Sequence, residues 1–143
     1  MDKATLDARH RVIVLLWASL LGGVTLFTGV VVALASGVIG AWEPALAPGT
    51  AALALVASPL LMVGGIAFRR GGSAPAGDAA QRLTAHQNRV VVASALQEGG
   101  GLLGLVLCLL AGQATWAVGV WALTGAAMGL CRPTRDELDA LLR

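Results

Sequence analysis

From Arg89 to Ala111 the chain reads RVVVASALQEGGGLLGLVLCLLA, 23 residues of almost unbroken apolar sequence. At ~1.5 Å of rise per residue, a helix of that length crosses the ~30 Å hydrocarbon layer of a bilayer. One ionisable side chain, Glu98, falls near its middle. A lone carboxylate is costly at that depth, so Glu98 is expected to face protein or a water-filled cavity and to hold a partner or a proton.

Three more apolar runs accompany it: Val12 to about Val38, Thr50 to Phe68, and Ala114 to about Leu130. The chain is 57% hydrophobic and 13% charged, with mean hydropathy +0.78. Soluble domains carry about 25% charged residues, so this is an integral membrane protein. With 143 residues there is room for one domain, 1–143. The fold class is therefore all-α, a transmembrane four-helix bundle with helices at about 12–38, 50–68, 85–111 and 114–130.

The connections support that division. Residues 1–11 form a polar lead-in. The Ala33 to Ala35 stretch imitates a signal-peptide cleavage site, but the apolar run before it is too long for a signal, so no cleavage is expected. Trp42, Glu43, Pro44 and Pro48 mark a short link, because proline stops a helix and pushes its predecessor out of helical geometry. Pro59 sits at the centre of the second run, where it removes one backbone hydrogen bond and kinks the helix, with Ser58 placed to satisfy part of what is freed.

The longest polar segment is RRGGSAPAGDAAQRLTAHQN, residues 69–88. Its first half, with Gly71, Gly72, Ser73, Pro75 and Gly77, has loop composition. Thr84 and Gln87 have the spacing of a capping box, which predicts that the third helix starts at about residue 85. Gly112 and Gln113 make a tight turn, so the third and fourth helices are antiparallel neighbours. After Pro133, Thr134 and Glu137 repeat the capping-box spacing and open a short amphipathic tail over 134–143.

All ten basic residues fall in three places: Lys3, Arg9 and Arg11; then Arg69, Arg70, Arg82 and Arg89; then Arg132, Arg135 and Arg143. The other two loops have none. Positive charge stays on the cytoplasmic side, which predicts both termini and the central loop inside, N-in/C-in. Trp42 and Trp116 then fall at the outer interface, where amphipathic rings prefer to sit. The cations act as anchors rather than as a basic patch, so nucleic acid is not an expected partner.

Glu98 carries the main claim to chemistry. Three-and-four spacing puts Val91, Ser94, Gly101, Leu102 and Leu105 on its face, with Ser94 one turn away as a hydrogen-bond donor. Gln97 points about 100° aside, toward a partner chain. Two readings stand: Glu98, with Ser94 and Gln97 near it, binds a proton or cation, or Glu98 is a hydrogen-bonded group that holds helices together. Small-residue positions suited to helix contact are Gly22 and Gly29, Gly100 and Gly104, and Gly125 and Gly129.

Other chemistry is thin. No serine, histidine and aspartate set lies within the apolar runs, so an enzyme is not expected and no catalytic residue is assigned. The glycines at 71–77 lack the lysine and context of a phosphate-binding loop. His10 and His86 sit level at the cytoplasmic edge and read as polar anchors rather than haem or metal ligands, so no cofactor is expected. Cys108 and Cys131 lie near opposite ends of their helices and cannot bridge within one chain.

The residues from about Gly65 to Gly112 carry a resemblance. A basic loop after GIAFRRG leads into RLTAHQNRVVVASALQEGGGLLGLVLCLLAG. This is similar to the helical hairpin of the ring-forming proteolipid (c-type) subunit of rotary ATP synthases. In that family a polar loop runs into an apolar helix with a central carboxylate, then a Gly-Leu-Val run. Ala95, Leu96, Glu98, Gly104, Leu105 and Val106 occupy those places here. The resemblance implies that Glu98 is a proton or sodium site.

The expectation is thus a multi-pass protein of the cytoplasmic (inner) membrane. Its partners are the lipid bilayer and other membrane protein subunits or further copies of itself. A small bundle with few polar groups encloses no sizeable substrate site, so the expected role is an accessory or structural subunit of a membrane complex. The alternative is a proton- or cation-coupled, proteolipid-like component.

Overall fold

A computed structural model describes residues 3–71 and 77–141 of the chain. Gly72, Ser73, Pro75 and Arg143 of the expectations above lie outside the described residues. The order of elements is α1 (Lys3–Ala35), a single 3-10 turn (Pro48–Thr50), α2 (Ala51–Arg70), α3 (Ala79–Leu110), α4 (Ala114–Leu130) and α5 (Arg135–Leu141). Among the described residues there is no strand, and α1 to α4 supply four helices long and apolar enough to cross a membrane.

Two helices start earlier than their apolar runs. The polar lead-in is helical from Lys3, because KATLDARHR contains no breaker and many good helix formers. α3 begins at Ala79, and its capping box is Asp78 with Gln81, not Thr84 with Gln87. The Gln81 N–H donates to Asp78 Oδ1 at 2.8 Å and the Asp78 N–H to Gln81 Oε1 at 3.3 Å. Asp78 offers the same spacing six residues upstream with nothing between to stop the helix. Thr84 lies inside it and donates back to Ala80 O. At ~1.5 Å per residue, α1 and α3 reach about 50 Å, whereas α2 and α4 match a bilayer at about 25–30 Å.

Glycine ends both long helices. Gly37 has φ +75°, with the Val38 N–H donating to Ala33 O and the Gly37 N–H to Leu34 O. Gly112 has φ +64°, with Gln113 and Gly112 donating to Cys108 O and Leu109 O. Both are the paired-bond termination that needs a left-handed residue. Hence α1 stops at Ala35 rather than near Val38.

α3 and α4 form the central pair, and each contacts both α1 and α2. The buried residues of α3 from Val90 onward are Val90, Ala93, Ser94, Gln97, Gly100, Gly101, Gly104, Leu105 and Cys108, a stripe with three-and-four spacing. Glycines in that stripe bring backbones together. A Cβ on Gly100 would stand 3.0 Å from Ser58 O of α2, and one on Gly101 would stand 2.7 Å from Thr124 Oγ1 of α4. On Gly104 it would meet Ser58 Oγ and, at 2.8 Å, Val120 Cγ1. From α2, a Cβ on Gly65 would sit 2.8 Å from Ala93 O.

The two ends of the bundle are tied differently. At one end the α1 to α2 link is bonded to α3: Trp42 Nε1 donates to Leu109 O at 2.8 Å and the Leu46 N–H to Leu110 O at 2.9 Å. The Leu46 bond satisfies a carbonyl at the helix terminus, and the Trp42 bond adds a second donor to Leu109 O beside the Gly112 N–H. At the other end α5 packs on α1 and α3 with Leu138 buried. Arg135 pairs with Asp7 at 2.5 Å, and Arg69 with Glu137 at 2.6 Å. The start of α1, the end of α2 and the C-terminal helix therefore share one end.

Candidate functional site

Glu98 lies on α3 at the edge of the buried stripe and is half-buried. It faces α1: Glu98 Oε1 is 3.7 Å from where a Cβ on Gly23 would stand. Gly23 is near the middle of the α1 apolar run as Glu98 is of its own, so the carboxyl sits at mid-depth in a groove between two helices. Gly22 and Gly99, next in the chain to Gly23 and Glu98, have nothing within 4 Å of a Cβ position.

Among the described residues, nothing in the chain hydrogen-bonds or pairs with Glu98. Ser94, expected to donate to it, is 2% exposed and its Oγ has no partner. Ser94 belongs to the packed stripe of α3 and also lines a small apolar cavity between α3 and α1, beside Trp17 and Leu20.

Gln97 corrects the expectation that it reaches a partner chain. It is fully buried, and its Nε2 donates to Ala127 O of α4 at 3.2 Å, while its Oε1 has no partner. It is a polar tie between α3 and α4. The signal for it was present: Gln97 lies three, four and seven residues before Gly100, Gly101 and Gly104, so it shares their face. Thr124 is likewise fully buried and bonds back to Val120 O. Ser58 does not fill the bonding gap left by Pro59, since its Oγ is buried without a partner against Gly104. α2 nevertheless runs unbroken through Pro59.

The small-residue pairs separate into two groups. Gly100 and Gly104 lie in tight contact with α2 and α4, whereas Gly22, Gly29, Gly125 and Gly129 have no atom within 4 Å of a Cβ position. The chain matches no family model, no curated protein and no solved structure. Chemistry therefore has to be argued from the groove itself.

α1 is tied to α4 by two indole donors that sequence reasoning had passed over. Trp17 Nε1 donates to Met128 O at 3.1 Å, and Trp121 Nε1 donates to Thr25 Oγ1 at 3.1 Å. On α1 their residues, Trp17 and Thr25, lie on either side of Gly23, the level of Glu98. His10 and His86 lie at the basic end; His86 Nε2 is 3.8 Å from Glu137 Oε2. No group of three metal-ligating side chains occurs among the described residues. Cys108 and Cys131 are both free and buried.

Proposed function

We propose that this chain is an accessory or structural subunit of a larger or homo-oligomeric complex in the cytoplasmic (inner) membrane, N-in/C-in, and that Glu98 is the contact it presents. The observation that carries this is a carboxyl midway along an apolar helix with no donor among the described residues, beside glycines whose Cβ positions are open. A carboxyl in hydrocarbon gains most from a donor on another helix, and open glycines let that helix approach closely. The inside orientation follows from the shared end of Arg9, Arg11, Arg69, Arg82 and Arg135, the side that keeps positive charge.

The test is retention of partners in mild detergent. Glu98→Gln keeps the hydrogen-bonding capacity and should retain them; Glu98→Leu removes it and should lose them. Equal retention by Glu98→Leu overturns the reading.

A second reading is a proton- or cation-coupled, proteolipid-like component with Glu98 as the ion site. It is favoured by the half-open position of the carboxyl. Among the described residues no side-chain oxygen bonds to it, so a proton suits the site better than a metal cation with its six or more oxygens. Carbodiimide separates the two: a cycling carboxyl is modified in a pH-dependent way, whereas one covered by a partner is not. Assembly kept with transport lost in Glu98→Gln supports coupling; both kept supports the structural role.

A further inference from the structure

At the basic end, a cavity of about 490 Å³ lies between the end of α2, the third helix and α5. Arg69, Arg70, His86 and Arg89 line it, with Glu137 as its acid. Arginines spread along a membrane edge are ordinary anchors. Here three of them converge from two helices on one space, while Arg132, on the same edge, does not line it.

Among the described residues, Glu137 is the acceptor that the chain sets against Arg69 and His86. The Arg69 side chain is only 8% exposed, and its sole bond among the described residues runs from Nη2 to Glu137 Oε2. A guanidinium has five N–H donors in a fixed fork. His86 Nε2 is buried without a hydrogen-bond partner, and at 3.8 Å from the same carboxylate oxygen it is too far to donate to it. Arg70 is exposed and unpaired among the described residues. A tetrahedral phosphate offers several anionic oxygens at once and matches this donor set better than one carboxylate oxygen.

The geometry points to a site for the phosphate of an anionic phospholipid headgroup, built by Arg69, Arg70 and His86, with Glu137 as an internal competitor for the same donors. The cavity stands where the apolar spans end, the level of lipid headgroups: Arg69 and Arg70 close α2, and Leu130 closes α4. Leu130, 66% exposed, lines its wall, and Phe68, 47% exposed, precedes Arg69. Those apolar flanks suit acyl chains and favour a lipid over free phosphate. Glu137 rides on a seven-residue helix held in part by the Arg135–Asp7 pair, whose side chains are 50% and 33% exposed. Exposed pairs tether weakly, so a headgroup can displace it.

The experiment is native mass spectrometry of the full chain in detergent, titrated with phosphatidylglycerol or with phosphatidylcholine of the same acyl chains, and with inorganic phosphate as competitor. Phosphatidylglycerol should be retained in preference. Arg70→Gln should weaken its retention about tenfold, the scale of one charged hydrogen bond. Glu137→Gln should strengthen it, and Arg132→Gln should leave it unchanged. Because Arg69 is buried, Arg69→Gln is read beside Arg70→Gln, which risks no packing. Equal retention of the two lipids overturns the proposal, as does equal loss from Arg132→Gln and Arg70→Gln, or weaker binding in Glu137→Gln. Displacement of the lipid by inorganic phosphate at equal concentration overturns the lipid assignment.

Discussion

The contact of α3 with α2 and α4 and the contact of α1 with α3 and α4 differ in how complete they are. Within an 18-residue apolar window, 44% of α3 is buried but only 17% of α1. On the α2 and α4 sides, glycines bring helix surfaces together until a single added methyl would clash. On the α1 side, two indoles bridge to α4, Glu98 is half-buried, and a Cβ on Gly22 or Gly29 would have no atom within 4 Å. Lipid tails are as apolar as leucine, so helices associate in a membrane only where packing or hydrogen bonds are better than lipid offers. The first region meets that condition within one chain. In the second, Glu98 has no bonding partner among the described residues and the Cβ positions of Gly22 and Gly29 are open.

The largest effect expected of this contrast is at Gly104. Gly104→Leu forces a side chain into Ser58 and Val120 and should cost more than about 3 kcal/mol, with loss of the folded bundle in detergent unfolding. Gly22→Ala should be neutral or slightly stabilising in the same assay, because its methyl meets open space and alanine is the better helix former. If Gly22→Ala instead destabilises the isolated chain, the contrast is broken.

Next in size is Gln97→Ala, which removes the tie to Ala127 and leaves a void. About 1–2 kcal/mol is expected in thermal or denaturant unfolding, moderated because the unpartnered Oε1 goes too. Trp17→Phe should cost about 0.6 kcal/mol, the usual worth of an interhelical hydrogen bond in a membrane. It should loosen α1 selectively, read as faster hydrogen exchange there than in α2. Smallest is Asp7→Asn. It breaks an exposed pair and should change stability by less than about 1 kcal/mol, with the difference vanishing at high salt.

Four helices long and apolar enough to cross a membrane were legible from hydropathy, since apolar runs of that length have few alternative structures. That the basic residues gather at one end was legible too, and the Arg69–Glu137 and Arg135–Asp7 pairs bring those segments together. Which face of each helix turns inward was not. A soluble helix reveals its buried side by polarity, but these are apolar all round, so Gly125 and Gly129 look as suited to packing as Gly100 and Gly104. Only the density of small residues from Ala93 to Gly104 marks the inner face of α3, and Gln97 lies on it. A charge within an apolar run stands out in the sequence, whereas a glutamine does not. Polarity does not mark the starts of α1 and α3, because residues 3–11 and 79–84 are hydrophilic yet helical.

The bonds from Trp42 and Leu46 to Leu109 and Leu110 also join segments that lie far apart in the chain, the first donor and its acceptor being 67 positions apart. The α1 to α2 link therefore has its bonding completed only where α3 lies beside it, and its conformation depends on a helix outside its own hairpin.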